Sequence, residues 1–581
     1  MQETTVAVEE GQKDSAPRAE NDKILELARK RMKIVNTADH DIKQDSLRDL
    51  EFVFNVGHGQ WDKPIHDDRE KNDRVMVTIN KLKKLINLEV GKNRQNRFKP
   101  KIQGVDPKAK PEVAAIFNGI IRNIENQSNA DIIYDSAYKY ALAGGFGYFR
   151  VITQFEEGEF TQEIRLKRIK NAHTVSFGPA AEFNYSDSNY CFIEEWVDRE
   201  DFDEDYPGVE ATDIELSSIG TQWEDWFKDE KVRIAEYFYK KPRKRTLGLL
   251  SDDTVIELTE EVKAEIARIG RVEILKTREE TVKEVWWIKM TGDKILEGPR
   301  RWMGKFIPVI PVLGEEVYVN GKKYLMSLIR DAKDPQRLYN YWEACAAEMV
   351  ALAPKVPFII TPDQIEGYEN EWQKANTHSK PYLLYNDMVG LNKPARERQT
   401  EIPTAIVQRS QQASFDIKDV TGKFEASLGQ QGNERSGKAI EVRAQVSDLG
   451  TFLFPDNMRR SMEYLADVLL DLIPKVMDTN RIVQILDEEG KEAFVEINQG
   501  SGLNDLSIGK FKVISSVALY STKKQETLRG MLEFQQYAPN AETILAPRIA
   551  KLLDIDDADK LSEELEKFYG FLAQQKAQAE R

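Results

Sequence analysis

The sequence predicts an α+β protein built from several packed units, and three observations carry that prediction. Over the first 320 residues, stretches of helical period alternate with β-hairpin signals. Two long helical runs then flank a proline-punctuated module at 355–401. A helical, mildly acidic stretch ends the chain. A length of 581 residues sets a soft expectation of about four units.

The N-terminal residues 1–22 read as a disordered lead-in. From Asn21 to about Phe54, Ile24, Leu25, Leu27, Ala28, Met32 and Val35 recur at helical spacing. Pro64 and the charged run His66 to Asp73 interrupt this pattern, and a second helix is expected from Val75 to Gly91. A polar basic run, Lys92 to Lys101, follows. Pro111 suits the first turn of a third long helix, which passes through Ile116, Ile120, Ile121, Ile124, Ile133, Ala137 and Tyr140 and ends at Gly144-Gly145. Arg150–Phe155 and Glu163–Ile169 form a hairpin around the turn 156–159, with further strands at 190–197, 231–240, 283–290 and 306–312. The acidic segment 198–230 reads as a surface insert.

The middle of the chain changes character. Asp334-Pro335 is a cap and first-turn pair that launches a helix to Ala353, with Leu338, Tyr339, Trp342, Cys345, Ala346, Met349 and Val350 on one side. Pro354 stops it. Within 355–401, two short strands are expected at Val356–Ile360 and Tyr382–Tyr385. A second helix runs from Pro403 to Thr421. Beyond a Gly-rich segment, 438–477 is helical, broken at Pro455 and closed near Pro474. Arg481–Glu496 and Phe511–Leu519 return to β structure, and 523–581 is helical.

Composition excludes several classes. With 41% hydrophobic residues, 25 Phe, 20 Tyr and 9 Trp, the chain can fill ordinary cores. There is no run of about 18 apolar residues to span a membrane. The acidic N-terminus lacks an apolar signal region. Cys191 and Cys345 alone cannot build a disulfide framework or a four-cysteine zinc site; both sit among apolar neighbours, as buried inert thiols do. A net charge of −15 opposes general affinity for DNA, yet suits a protein past which DNA must slide.

The stretch 422–443 is rich in Gly, Gln and Asn, and Gly432, Gly437 and Lys438 have the spacing of a phosphate-binding loop. Three local features oppose that reading. Ala439 stands where a Ser or Thr hydroxyl would bind Mg²⁺. A helical pattern (Ile402, Ile406, Ala413, Ile417, Val420), rather than a strand, precedes the loop. Glu434 lies where backbone N–H groups would cradle phosphates. A solvated loop between helices is the alternative.

Other candidates read mostly as structural. Lys92–Lys101, with Phe98 among its Arg and Asn residues, fits a nucleic-acid contact, a solvated turn or a subunit contact. Gly144-Gly145-Phe146-Gly147 precedes a strand, the reverse of the dinucleotide order, and fits close helix–strand packing. His40, His58, His66, His173 and His378 are scattered, and none is read as pairing at i, i+4 with a carboxylate in metal spacing; His66-Asp67-Asp68 has the residue types to hold a cation, but a charged loop is the favoured reading. No metal site, cofactor or catalytic residue is expected. Trp286 and Trp287 alternate on a strand, one toward a core and the other toward a subunit interface.

Three blocks tie these parts together. The first runs from Val77-Thr78-Ile79-Asn80-Lys81-Leu82 through Gly91-Lys92-Asn93-Arg94-Gln95-Asn96-Arg97. The second runs from Ile124-Glu125, Ser128 and Ala130, through Tyr134-Asp135 and Ala137, to Gly144–Val151. The third is Ala426-Ser427-Leu428-Gly429 through Gly432-Asn433-Glu434 and Ser436-Gly437-Lys438-Ala439-Ile440, then Asp456-Asn457. In this order, around a two-helix stem with an insert, they resemble the portal protein (head–tail connector) of tailed double-stranded DNA phages, in the short-tailed branch. The resemblance covers about residues 72–520.

The resemblance implies a non-enzymatic ring of twelve subunits at one capsid vertex, with DNA passing through an axial channel. It implies a wing at 23–320, stem helix one at 321–354, a clip at 355–401 and stem helix two at 402–421. A tunnel loop would occupy 422–440, a wing return with a long kinked helix 441–522, and a helical crown 523–581. A long C-terminal barrel, known in the branch, would be short or absent. Tunnel-loop candidates are Lys423, Gly429, Gln430, Gln431, Gly432, Asn433, Arg435, Lys438 and Arg443. Clip residues for docking the packaging motor and tail adaptor are Glu366, Trp372, Lys374, His378 and Tyr382. The implied partners are further copies of the chain, double-stranded DNA without sequence preference, the terminase motor, the tail adaptor, and the major capsid and scaffolding proteins. The implied location is the virion, and the host cytoplasm during assembly. Two other readings stay open: a nucleotide-hydrolysing DNA packaging protein using Gly432, Gly437 and Lys438, and a capsid or adaptor protein without a channel.

Overall fold

Sheets and helices alternate through the body of the protein, as the periodicities require. The computed structural model describes residues 18–571 except 157, 210–226, 229–230, 252–254, 270–272, 353–357, 376–380, 389, 391, 397–403, 423–451, 487–489, 500–503, 515–520, 538–540, 553–560 and 563. Among them, no helix is long and apolar enough to cross a membrane.

Helix α1 (Arg18–Phe54) spans 37 residues, about 55 Å at 1.5 Å per residue, and begins before the expected end of the lead-in. Its first half lays Leu25, Ala28, Met32 and Val35 on an aromatic sheet face made by Tyr190, Phe192, Tyr237, Tyr239, Ile288 and Met290. There Phe192 stacks on Tyr237 at 4.5 Å, and Arg31 caps the row by lying 4.7 Å over Tyr190 and donating to the Tyr237 hydroxyl. The sheet is antiparallel and centred on a long hairpin, Lys231–Leu250 against Ile274–Met290, with Tyr190–Asp198 and Val175–Phe177 on one side and Ile295–Arg301 on the other. Both hairpin strands extend well beyond the expected 231–240 and 283–290. Their distal parts carry charge on both faces and are joined by cross-strand pairs such as Arg245–Glu280, so apolar alternation does not report them.

The run expected only to interrupt the first helix is itself a helix, α2 (Lys63–Lys71), with Pro64 in its first turn. The expected helix from Val75 starts later, as α3 (Leu82–Gln95), and takes in the start of the basic run. The single helix expected from Pro111 to Tyr140 is two, α4 (Pro111–Gln127) and α5 (Ala130–Gly144). Asn129 adopts φ +49° between them, and the Ser128 hydroxyl accepts the Leu166 N–H instead of facing solvent. Helix α5 packs on the three-stranded sheet Val309–Leu313, Phe146–Phe155, Gln162–Arg168. At the crossing, a Cβ on Gly147 would stand 2.1 Å from the Ala137 carbonyl oxygen. That explains the Gly144-Gly145-Phe146-Gly147 run as close helix–strand packing. Trp287 is core, as expected of one of the pair, but Trp286 packs within the chain against the α1–sheet cluster.

After the short helices α6 (Arg199–Asp205) and α7 (Glu260–Ile269) and the hairpin Glu315–Val319/Lys322–Met326, the chain enters α8 (Lys333–Leu352). A small module with α9 (Glu369–Gln373) follows, then α10 (Thr404–Val420), which packs back on α8. In the module, Phe358–Ile359 pairs with Ala395–Arg396, and Tyr382–Tyr385 forms no strand. Side chains hold that segment instead: Trp372 Nε1 donates to the Leu384 carbonyl and Asn386 Nδ2 to the Glu366 carbonyl.

Helix α11 (Leu453–Val476) crosses the central core. Pro455 lies in its first turn, where a missing N–H costs nothing, and the helix passes Pro474 to end two residues later. Asn457 donates to the carbonyls of Leu313 and Gly314, and Ser461 to that of Pro311, which seat the helix on the three-stranded sheet. The hairpin Arg481–Leu486/Glu492–Ile497 packs on α4, and Phe511–Ile514 pairs with Lys101–Gly104. The C-terminal third therefore returns to the N-terminal body before helices α12 (Ser521–Tyr537) and α13 (Glu542–Leu552).

Gly147→Ala forces its Cβ onto the Ala137 carbonyl and should cost several kcal/mol, on the order of a badly overpacked core site. The expected outcome is a marked fall in thermal unfolding midpoint or in folded yield; a midpoint within a degree of wild type would contradict this packing.

Candidate functional site

The helix pair α8/α10 and the module it carries form the candidate site, and a set of buried polar contacts roots the pair in the body. At the start of α8, Asp49 of α1 is fully buried. Its Oδ2 accepts from Ser327 Oγ at 2.6 Å and from Arg330 Nε and Nη2 at 3.0 and 2.9 Å, while Lys333 pairs with Oδ1. Two cations and a hydroxyl thus converge on one carboxylate, the condition under which a buried charge is tolerated.

One turn further along α8, Gln336 and Asn340 are wholly buried. Gln336 Nε2 donates to the Ile79 carbonyl at 2.9 Å and its Oε1 accepts the Lys81 N–H at 3.2 Å. Asn340 Oδ1 accepts the Ile79 N–H at 3.1 Å, and its Nδ2 donates to Gln60 Oε1 at 2.8 Å. These amides pair with the extended backbone before α3 as a neighbouring strand would. Farther along, Arg69 of α2 is buried between Trp61 and Tyr341, donates to the Val75 carbonyl and reaches Cys345 Sγ at 3.4 Å. Arg74 makes a two-pronged bond to Glu348 at 3.0 and 3.1 Å, which holds the Glu348 carboxyl below the usual carboxylate range.

The apolar side of α8 behaves differently from the expectation. Leu338 and Val350 are 51% and 54% exposed, while the buried positions are Gln336, Asn340 and Ala344. On α10, Ser410, Ala413 and Ile417 are buried, Ser410 donating to Glu343 of α8, and Val407, Phe415 and Val420 are 48%, 54% and 48% exposed. The pair buries a polar root and leaves apolar residues open along its length.

The sequence candidates fall into three groups. Lys423, Gly429, Gln430, Gln431, Gly432, Asn433, Arg435, Lys438 and Arg443 lie outside the described residues, as does His378. In the module, Glu366, Lys374 and Tyr382 are exposed, Tyr382 at 69%. Trp372 is half-buried and meets Phe358 edge to face, with ring centroids 5.2 Å apart, so it helps hold the module together. Two arginines of the basic run are engaged by the body, while Lys99 and Lys101 remain exposed. Arg97 bonds Asp131 and Asp135 of α5 and lies over Tyr134, Arg94 Nη1 stands 3.6 Å from Asp135, and Phe98 is buried.

The histidine reading needs correction. His66 and Glu70 do stand at i, i+4 on α2, and the fold brings His58 onto His66, with ring centroids 5.1 Å apart. His173, by contrast, is a core residue beside Phe146, and burial with the nearby Lys43 ammonium pushes its pKa down to about 4. Asp49, Gln336 and Asn340 were missed altogether. A signal for Asp49 existed: Ile42, Ser46, Asp49 and Val53 share one face of α1, and a carboxylate on a buried face marks a paired charge.

Residues 29–581 match the family described as Phage P22-like portal protein. A portal protein of Acyrthosiphon pisum secondary endosymbiont phage 1 is 26% identical over 492 residues, which are 78% of this chain and 67% of that relative.

Two measurements test the anchoring and the buried imidazole. Asp49→Asn leaves Lys333 without its carboxylate and Arg330 with Asp45 at 3.6 Å, and should destabilise the fold by on the order of 3 kcal/mol in urea titration, with the slope unchanged. The His173 pKa is depressed in the fold, so the unfolded chain binds its proton first. Its contribution is complete above pH 6.5 and is lost as pH falls toward about 4, a decline of about 3 kcal/mol. His173→Gln should flatten stability across that window; an unchanged slope would show that the imidazole is not buried neutral.

Proposed function

The chain belongs to the phage P22-like portal protein family, and from that premise we propose how its parts serve a portal. It is a phage portal protein, a structural component of the virion in a family that works as a ring at the capsid. The proposed assembly is a ring of twelve copies at one capsid vertex, closed by head-to-tail contacts.

In this reading the body up to residue 320 is the wing, α8 and α10 are the stem, and 355–401 is the clip. The segment 422–440 lines the bore as a tunnel loop, α11 and the following strands return to the wing, and α12 and α13 belong to the crown. Glu366, Lys374 and Tyr382 lie on the docking face for the terminase motor during packaging in the host cytoplasm, and for the tail adaptor afterwards. Major capsid and scaffolding proteins would meet the wing. The DNA contact is sequence-independent, and a net charge of −15 per chain, multiplied around the ring, limits sticking as DNA moves.

The observation that carries this reading is the helix pair: a polar root where it joins its own body, with large apolar residues left exposed along its length. Leu338, Val350, Val407, Phe415 and Val420 are placed for a neighbouring copy of the same pair. Purified protein should give closed rings in negative-stain class averages. Phe415→Glu should reduce the ring fraction at least tenfold in sedimentation while circular dichroism stays unchanged; rings formed at wild-type level would place the subunit contact elsewhere. Deleting 429–436 should leave rings intact and impair DNA packaging or retention. Loss of rings with packaging unaffected in whatever assembles would make that loop an assembly element.

A further inference from the structure

We propose that His58, His66 and Asp67, with Glu70 able to complete the shell, form a binding site for one zinc-like divalent cation at the root of the helix pair. This goes beyond the portal reading and reverses the expectation of no metal site. The donor atoms of His58, His66 and Asp67 lie within 4.8 Å of one another. His66 Nδ1 stands 3.5 Å from Asp67 Oδ1 and 3.7 Å from Glu70 Oε2. Those separations are too long for good hydrogen bonds. They match the spacing between ligands on a tetrahedral ion, roughly 3.4 Å when each bond is about 2.1 Å.

The state of His66 Nδ1 agrees with the assignment. It is sealed from solvent and takes no hydrogen bond. His173 Nε2 in the core is likewise unpartnered, but among the described residues only at His66 do a second imidazole and carboxylates stand close enough for a metal ion to satisfy the nitrogen. Two imidazoles with carboxylates suit Zn²⁺ better than Mg²⁺ or Ca²⁺, which prefer all-oxygen shells.

The frame is pre-set. Asn55, Gly57 and Gly59 all hold positive φ, at 57°, 64° and 61°, and a Cβ on Gly59 would strike Asn55 Oδ1 at 2.1 Å. This turn aims His58 at α2. Its far end is fixed by Gln60, which donates to the Phe52 carbonyl, and by Trp61, whose Nε1 donates to Thr78 Oγ1 at 2.9 Å. Three residues past His66, Arg69 enters the contacts that root α8. A bound cation would staple the turn to α2 at that root. Asp67 and Glu70 are 55% and 70% exposed, so the ion can enter from solvent.

The test uses tag-free full-length protein titrated with Zn²⁺ by calorimetry and with Co²⁺ by visible absorption. Expected are one Zn²⁺ per chain, the intense visible bands of four-coordinate Co²⁺, and a thermal midpoint raised by Zn²⁺. His58→Gln and His66→Gln should each weaken binding at least ~10-fold and abolish the midpoint rise, while unbound variants keep the wild-type circular dichroism. Glu70→Gln should weaken binding less. Absence of saturable Zn²⁺ binding overturns the site. So does binding of unchanged affinity in the His58→Gln/His66→Gln double variant, which would place the ion elsewhere.

Discussion

Asp49 is the contact on which the helix pair depends. A carboxylate inside a protein is costly unless opposing charges and donors surround it. Here Ser327, Arg330 and Lys333 supply them, and all three lie at the entry to α8. The interaction therefore ties the long N-terminal helix to the base of the helix pair. A hydrophobic contact at the same place would hold the elements together but would tolerate sliding or rotation. A converging carboxylate, guanidinium and hydroxyl fix distance and direction together.

The remaining contacts at the root obey the same logic. Gln336 and Asn340 bond the backbone of Ile79 and Lys81, so the register between α8 and the preceding extended segment is set by paired donors and acceptors. Arg69 and Arg74 repeat this two turns farther out. Spending polar contacts on the interior leaves apolar residues on the outer face of α8 and α10. Leu338, Val350, Val407, Phe415 and Val420 stay exposed among polar neighbours such as Gln408, Arg409 and Gln411, an open apolar surface for an isolated helix pair. For a subunit of a ring it is reasonable, because the buried face must hold one geometry while the outer face gains its burial from the neighbour.

Several charged features turn out to be internal. Arg94 and Arg97 look available for phosphate in a linear reading, yet α5 presents Asp131 and Asp135 to them. Glu236 is buried between Arg150 and the Trp287 indole, and stays ionised because those partners outweigh its burial. Arg94, Arg97 and Arg150 are thus engaged in holding the body together.

By itself, the sequence determined the order of elements, the two-helix pair with its inserted module, and the helix–strand packing at Gly147, because hydrophobic period, proline position and glycine each act locally. It also carried the family resemblance, since the motifs lie in contiguous blocks. It misjudged places where distant residues decide. The break between α4 and α5 depends on Leu166 bonding Ser128, and the pairing of Phe358–Ile359 depends on a strand more than thirty residues away. The charged hairpin tips needed cross-strand partners that no alternation reports. Above all, whether Asp49, Gln336 and Asn340 face water or one another, and whether His58 meets His66, is set by which helices pack together. Burial and pairing are properties of two chain segments at once, so only the tertiary structure could assign them.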